Sequence, residues 1–155
     1  MEAIQLDDPV DERDLEAILS FIPRFQRIPP DDVVIESPGR LLGMEGDKIT
    51  LAMHGEYHPL VEEFQQALYL HHIVRDFDWG KWQPRALVIY KNPNLLDRAT
   101  QKTCIKLLTL HARKDRFVDG HFAAMISCGH IQAVLNRMQA IRNRTVARRS
   151  QKEKR

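Results

Sequence analysis

Cysteine is scarce: Cys104 and Cys128 are the whole supply, which excludes a disulfide framework and a four-cysteine zinc site. No apolar run approaches the roughly 20 residues that span a bilayer. The first residues are acidic and lack the basic-then-apolar order of a secretory leader. Seven Gly and eight Pro in 155 residues exclude collagen-like and low-complexity architectures. No repeat recurs at a period of about 20 to 50 residues, which argues against a solenoid. Also missing are Gly-x-Ser-x-Gly, a phosphate-cradling glycine loop, a dinucleotide fingerprint and His-Glu-x-x-His. The expectation from these absences is a soluble, cytoplasmic protein with no membrane partner and no cofactor.

What remains is globular in character. Hydrophobic residues make up 43% and charged residues 28%, enough for a packed core. The length fits one domain, expected over residues 1–145. The net charge of +2 conceals a strong asymmetry. Residues 137–155 hold eight basic residues against one acid, whereas the first 32 hold nine acids and three bases. Nothing anchors the chain after Val146, so 146–155 reads as a disordered basic tail.

Periodicity supplies the elements. Leu15, Ile18, Leu19 and Ile22 fall on one face of a helix from about Asp11, with Pro23 as its stop. Val33–Ile35 and Ile49–Met53 read as short strands that return antiparallel to each other, with Pro38 and Gly39 among the breaks between them. A helix follows from His58 or Pro59 to His72, its stripe formed by Leu60, Val61, Phe64, Ala67, Leu68 and His71. Asp78 suits an N-cap, with Phe77 and Trp82 at the spacing of a hydrophobic staple. Pro84 should break that helix, and Arg85–Tyr90 reads equally as helix or strand. Thr100 and Asp119 are candidate caps of two further helices, and Gly129 a turn before the last one. The fold class expected is α+β, mainly α: five to six helices with a small antiparallel β element near the N-terminus.

The polar run from His111 to His121 is the most unusual stretch. His111 and Asp115 are four apart on a helix, and Arg113 and Arg116 three apart. His121 opens the next helix, near free N–H groups and a positive dipole end. The arginines would clamp an anion, Asp115 would orient His111, and His111 or His121 would move a proton. Phe117, Trp79 and Trp82 would wall the pocket. The structural reading competes well with it: an Asp115–Arg116 ion pair or a cap, Asp119 as an ordinary cap, and His111 as a satisfied core histidine.

This run, His111-x-Arg113-x-Asp115-Arg116-Phe117-x-x-Gly120-His121, is preceded by Leu107-Leu108-Thr109 and followed by Ser127-x-Gly129-x-Ile131. Together with Phe77-Asp78-Trp79, Trp82 and Ala67-Leu68-Tyr69, it resembles an uncharacterised prokaryotic domain family, over about His58 to Met138. Family members carry Pro where this chain has Gly80. The resemblance implies a mainly helical domain and supplies no activity. It also groups Asp78, His111, Arg113, Asp115, Arg116 and His121 as one candidate pocket.

A second function class rests on the C-terminal helices. Residues 119–127 and 131–144, joined through Cys128-Gly129-His130, have the order of a helix-turn-helix. The second helix would offer Gln132, Asn136, Gln139 and Arg142 to base edges. Arg144, Arg148 and Arg149 would hold phosphates, with nucleic acid or another acidic macromolecule as partner. The seven histidines do not make a metal motif. Gly55 and Pro59 disrupt the His54/His58 spacing, His71 and His72 diverge on a helix, and Cys128-x-His130 is too short. No metal ligand is therefore assigned, and binding is preferred to catalysis.

Overall fold

The structure, a computed structural model, describes residues 4–37, 39, 41–51 and 54–154. The expected break at Pro38, the strand end at Ala52–Met53 and the last tail residue, Arg155, lie outside them.

Helix α1 (Glu12–Leu19) is capped by Asp11, whose carboxylate accepts from the Arg13 N–H, and it buries Leu15, Ile18 and Leu19. It ends earlier than expected, and Pro23 does not stop it. Ser20 separates it from α2 (Phe21–Gln26), where Pro23 occupies the first turn. The first N–H groups of a helix have no intrahelical acceptor, so proline loses nothing there. The break lets Phe21 and Phe25 turn onto Phe64, with ring centroids 4.9 and 5.1 Å from it.

The β element pairs differently from the expectation. β1 (Val34–Glu36) lies antiparallel to β4 (Glu56–Tyr57), and β2 (Leu41–Glu45) to β3 (Lys48–Leu51). Glu45 faces Lys48 across a two-residue turn with Gly46 at φ +62°. So short a loop closes at low entropic cost, and the 49–51 run pairs with the nearer 41–45 run instead of Val33–Ile35.

Helix α3 (Pro59–Leu70) opens on His58, whose Nδ1 accepts from the Leu60 N–H at 3.1 Å. It stops two residues before the expected end, at a turn where His72 takes φ 59°. α4 (Trp79–Lys91) is capped by Asp78, and Phe77 meets Trp82 edge-on at 6.0 Å, as the staple spacing anticipates. α4 runs through Pro84 without a break and absorbs Arg85–Tyr90, which settles that segment as helix. The carbonyl that Pro84 would crowd is that of Gly80, where a residue without Cβ leaves the backbone free to tilt.

α5 (Pro93–Leu96), α6 (Gln101–Lys114), α7 (His121–Ser127) and α8 (His130–Glu153) follow. α6 and α8 form the spine. Cys104, Leu107 and Leu108 of one, with Ile131, Val134, Leu135 and Met138 of the other, are fully buried. The pair is antiparallel: Arg137 Nε donates to Ala99 O beside the start of α6, and His130 meets His111 near its end. The stretch read as a disordered tail instead continues α8 in helical form to Glu153, exposed from Asn143 onward. Its Arg, Gln, Lys, Ala and Glu residues are good helix formers, so the helix extends without tertiary support. The architecture is α+β, mainly α.

Arg75 ties the N-terminal segment down. Its side chain, 3% exposed, donates to the carbonyls of His72, Gln5, Leu6 and Asp8. Its backbone N–H donates to Thr109 Oγ1, which in turn donates to Ile73 O.

Candidate functional site

Of the six residues grouped from the sequence, His111 and His121 meet, and the others turn to different partners. Asp78 is an exposed cap of α4, paired with Lys81 among the described residues. Arg113 and Arg116 extend over the Tyr69 ring on α3, at 5.8 and 5.5 Å. Asp115 does not orient His111. Its Oδ1 accepts the Phe122 N–H at 2.9 Å and its Oδ2 accepts from Gln65 Nε2 at 3.1 Å. It therefore caps α7 from a distance, the task expected of Asp119.

Asp119 faces the β element instead, accepting from Gly55 N–H at 2.8 Å and from the Tyr57 hydroxyl at 3.1 Å. Burial first, and then the Asp119 hydrogen bond, push the Tyr57 phenol up to about 12. The motif glycine is explained here. Gly120 has φ +84°, and a Cβ would lie 2.7 Å from Tyr57 Oη. Phe117 is 78% exposed, with Trp79 against it at 6.0 Å. Trp79 and Phe117 do not line the cavity that the histidines share.

What the fold does assemble is a histidine cluster from three helices. His111 Nδ1 lies 2.9 Å from His121 Nε2, and the His111 ring meets the His130 ring edge-on at 5.0 Å. Tyr90 of α4 packs edge-on against His130 at 5.1 Å and donates to Cys128 Sγ at 3.8 Å. Burial holds His111 well below the ordinary imidazole range, with repulsion from His130, His121 and Lys114 adding to it. Burial lowers His121 too, helped by Lys114 and opposed by Asp115. His130 is pushed down to about 4, by burial and then by His121. All three rings are thus neutral at pH 7. The Nε2 atoms of His111 and His130 are buried with no hydrogen-bond partner. Among the described residues, no three His, Cys, Asp or Glu side chains converge on a point that could hold a metal ion.

The cluster borders a cavity of about 220 Å³ between α4, α6 and α7. Ala86, Leu87, Tyr90, Leu110 and Met125 form its walls, and His111, His121, Lys114 and Gln83 supply its polar groups. Sequence reading missed Lys114, Tyr90 and the entry of His130. Lys114 was within reach, because it lies three residues after His111 and shares its helix face. The Tyr90 and His130 contacts had no local signal.

The second assembly is basic. Arg98, Arg137, Arg144 and Arg148 line a groove of about 260 Å³ with Thr100 and Gln101, between the start of α6 and the second half of α8. Arg137, Arg144 and Arg148 are spaced i, i+7 and i+11, a one-face helical pattern that the sequence could have revealed. Arg149 is exposed nearby on the same helix. The residues expected to read bases are mostly engaged internally. Gln132 Nε2 donates to Ile126 O, Gln139 to Asn143, and Arg142 pairs with Glu12 at 2.5 Å. Only Asn136 is exposed and uncommitted.

Fold and site together describe a mainly helical α+β protein with one apolar, histidine-lined cavity and one arginine groove. The chain belongs to a family of unknown function, DUF6508, which matches residues 10–144. No curated protein and no solved structure matches it. No helix among the described residues is long and apolar enough to cross a membrane.

Proposed function

We propose that the protein binds nucleic acid through its phosphate backbone, in the groove between the start of α6 and the second half of α8. One observation carries this reading: Arg98, Arg137, Arg144 and Arg148 share one concavity, and none has a carboxylate partner among the described residues. By contrast, Arg24 pairs with Glu63 and Arg142 with Glu12. Four like charges held together repel one another, and a polyanion relieves that repulsion while releasing its own counterions. Arg137 is fixed through its Nε to Ala99 O, which leaves its terminal nitrogens for phosphate. The exposed end of α8 continues the basic surface through Arg149, Lys152 and Lys154.

Binding of this kind ignores sequence. The internal bonds of Gln132, Gln139 and Arg142 leave too few free groups for a base code. The test is fluorescence anisotropy with single- and double-stranded oligonucleotides of random sequence, across salt concentrations. Four duplex phosphate contacts give a log–log slope of about −3.6, or about a 150-fold loss of affinity from 50 to 200 mM salt. Arg144→Gln with Arg148→Gln should halve the slope to about −1.8. A slope unchanged in that double variant, or no binding at low salt, rejects the groove. Equal competition by polyglutamate would redirect the reading to an acidic protein partner.

A further inference from the structure

We propose that the cavity between α4, α6 and α7 is a binding site for a small organic acid: one carboxylate on a single-ring or branched aliphatic body. The proposal concerns a different site from the arginine groove and does not depend on it.

Size comes first. The cavity is about 220 Å³. An engineered apolar cavity of about 150 Å³ takes up benzene, so a ring with one substituent fits here. Five of the lining side chains, Ala86, Leu87, Tyr90, Leu110 and Met125, present mainly apolar surface. Such walls suit a hydrocarbon body and offer little to a free phosphate or a sugar.

The polar groups then fix the sign of the ligand. Lys114 lines the cavity, is only partly exposed, and has no carboxylate within ion-pair distance among the described residues. A lysine beside an apolar cavity with no carboxylate counter-ion favours an anionic guest. Only one cation is present, which matches a monocarboxylate better than a phosphate.

The histidine pair supplies the second contact. His111 is 5% exposed and its Nδ1 contacts His121 Nε2, so one of the two nitrogens carries the shared proton. If His121 held it, His111 would keep its own proton on Nε2, as a buried N–H without a partner. A buried donor left unpaired is less tolerable than an unpaired lone pair. The favoured arrangement therefore has His111 Nδ1–H donating to His121 Nε2. That fixes the His121 proton on Nδ1, which has no hydrogen-bond partner among the described residues. Two of the residues lining the cavity thus carry an N–H donor and an ammonium, the two groups a carboxylate needs. His111 acts as a positioning residue that sets the His121 tautomer.

The experiment is a titration of the full chain at pH 7.5 with benzoate, cyclohexanecarboxylate and isovalerate, followed by calorimetry and by ¹⁵N NMR of the histidine rings. Benzamide and inorganic phosphate are the neutral and inorganic controls. At least one acid should bind saturably with a Kd below about 1 mM, moving the His121 ring signals, while both controls bind at least about tenfold more weakly. Lys114→Met should weaken the acid about tenfold and leave benzamide unchanged. Leu87→Trp, at a half-exposed wall position, should block all organic ligands without disturbing the core. The proposal is overturned if none of the three acids saturates, if benzamide binds as tightly as benzoate, or if Lys114→Met leaves acid affinity unchanged. A His121 ring protonated on Nε2 in the free protein would overturn the tautomer assignment.

Discussion

Burying His111 and His130, with His121 partly buried against His111, should give the protein a steep loss of stability on mild acidification, and His130 allows its size to be worked out. In the folded chain the His130 imidazole takes a proton only near pH 4, against an ordinary value of 6.5. The unfolded chain takes up that proton more readily, so stability is complete above pH 6.5 and falls as the pH drops toward 4. Between pH 7 and pH 5, this one residue removes about 2 kcal/mol. That is a large part of the roughly 5–15 kcal/mol of a typical domain. His111 and His121 are shifted in the same direction and add to the effect. With a urea m-value of roughly 2 kcal/mol/M, the His130 share moves the denaturation midpoint by about 1 M. The assay is urea denaturation at pH 7.0 and 5.0, kept above the range where most carboxylates titrate. His130→Phe preserves a ring for Tyr90 and His111 to pack against, and it should shrink the midpoint difference by about 1 M. A variant with the same pH dependence as the parent would refute the claim that this ring is buried neutral.

Two glycines with the same backbone strain should respond differently to alanine. Gly129 has φ +88° with open space at its Cβ position, so Gly129→Ala should cost about 1–2 kcal/mol, the left-handed penalty alone. Gly120→Ala adds a contact with Tyr57 Oη at 2.7 Å and should cost clearly more, with Tyr57→Phe removing most of the excess. A double-mutant cycle by chemical denaturation measures this, and zero coupling would contradict the packing described. Arg75→Met removes the guanidinium donor shared by the carbonyls of Gln5, Leu6 and Asp8. It should lower stability by about 2–4 kcal/mol and speed amide exchange in the N-terminal segment. A change within about ±0.5 kcal/mol, typical of surface substitutions, would show the latch to be dispensable.

How far the sequence carried these conclusions depends on the range of the interactions. Relations within about one helical turn were legible: the Asp78 and Thr100 caps, the Phe77–Trp82 staple, and the buried stripes of α1 and α3. Helical spacing fixes which residues share a face, but not what that face meets. Asp119 looked like a local cap and instead holds Gly55 and Tyr57, more than 60 residues away. Asp115, close to His111 in the chain, turns to Phe122 and Gln65. Strand pairing failed for a related reason, since two short runs do not specify partners until the Gly46 turn settles them. Of the candidate pocket, His111 and His121 meet, while Arg113, Arg116 and Asp78 lie elsewhere.

The two proposed sites sit at opposite ends of the same helix pair, which bears on whether they communicate. Arg98, Thr100 and Gln101 mark the start of α6, and His111 and Lys114 its end. The 14 residues of α6 span about 21 Å. Between the sites lie Leu107, Leu108, Val134 and Leu135, all fully buried. A close-packed interface of this kind transmits a signal only by stepping between discrete packings, and one helical turn of slip is about 5.4 Å. Such a slip would break the Arg137–Ala99 bond and part His130 from His111 together. Neither ligand gains contacts from that state, so neither can favour it. A saturating acid in the cavity should therefore change oligonucleotide affinity less than about twofold, measured by anisotropy with and without it. Reciprocal coupling above about fivefold would mean that α8 has a second seat against α6, and the rigid-spine argument would fall.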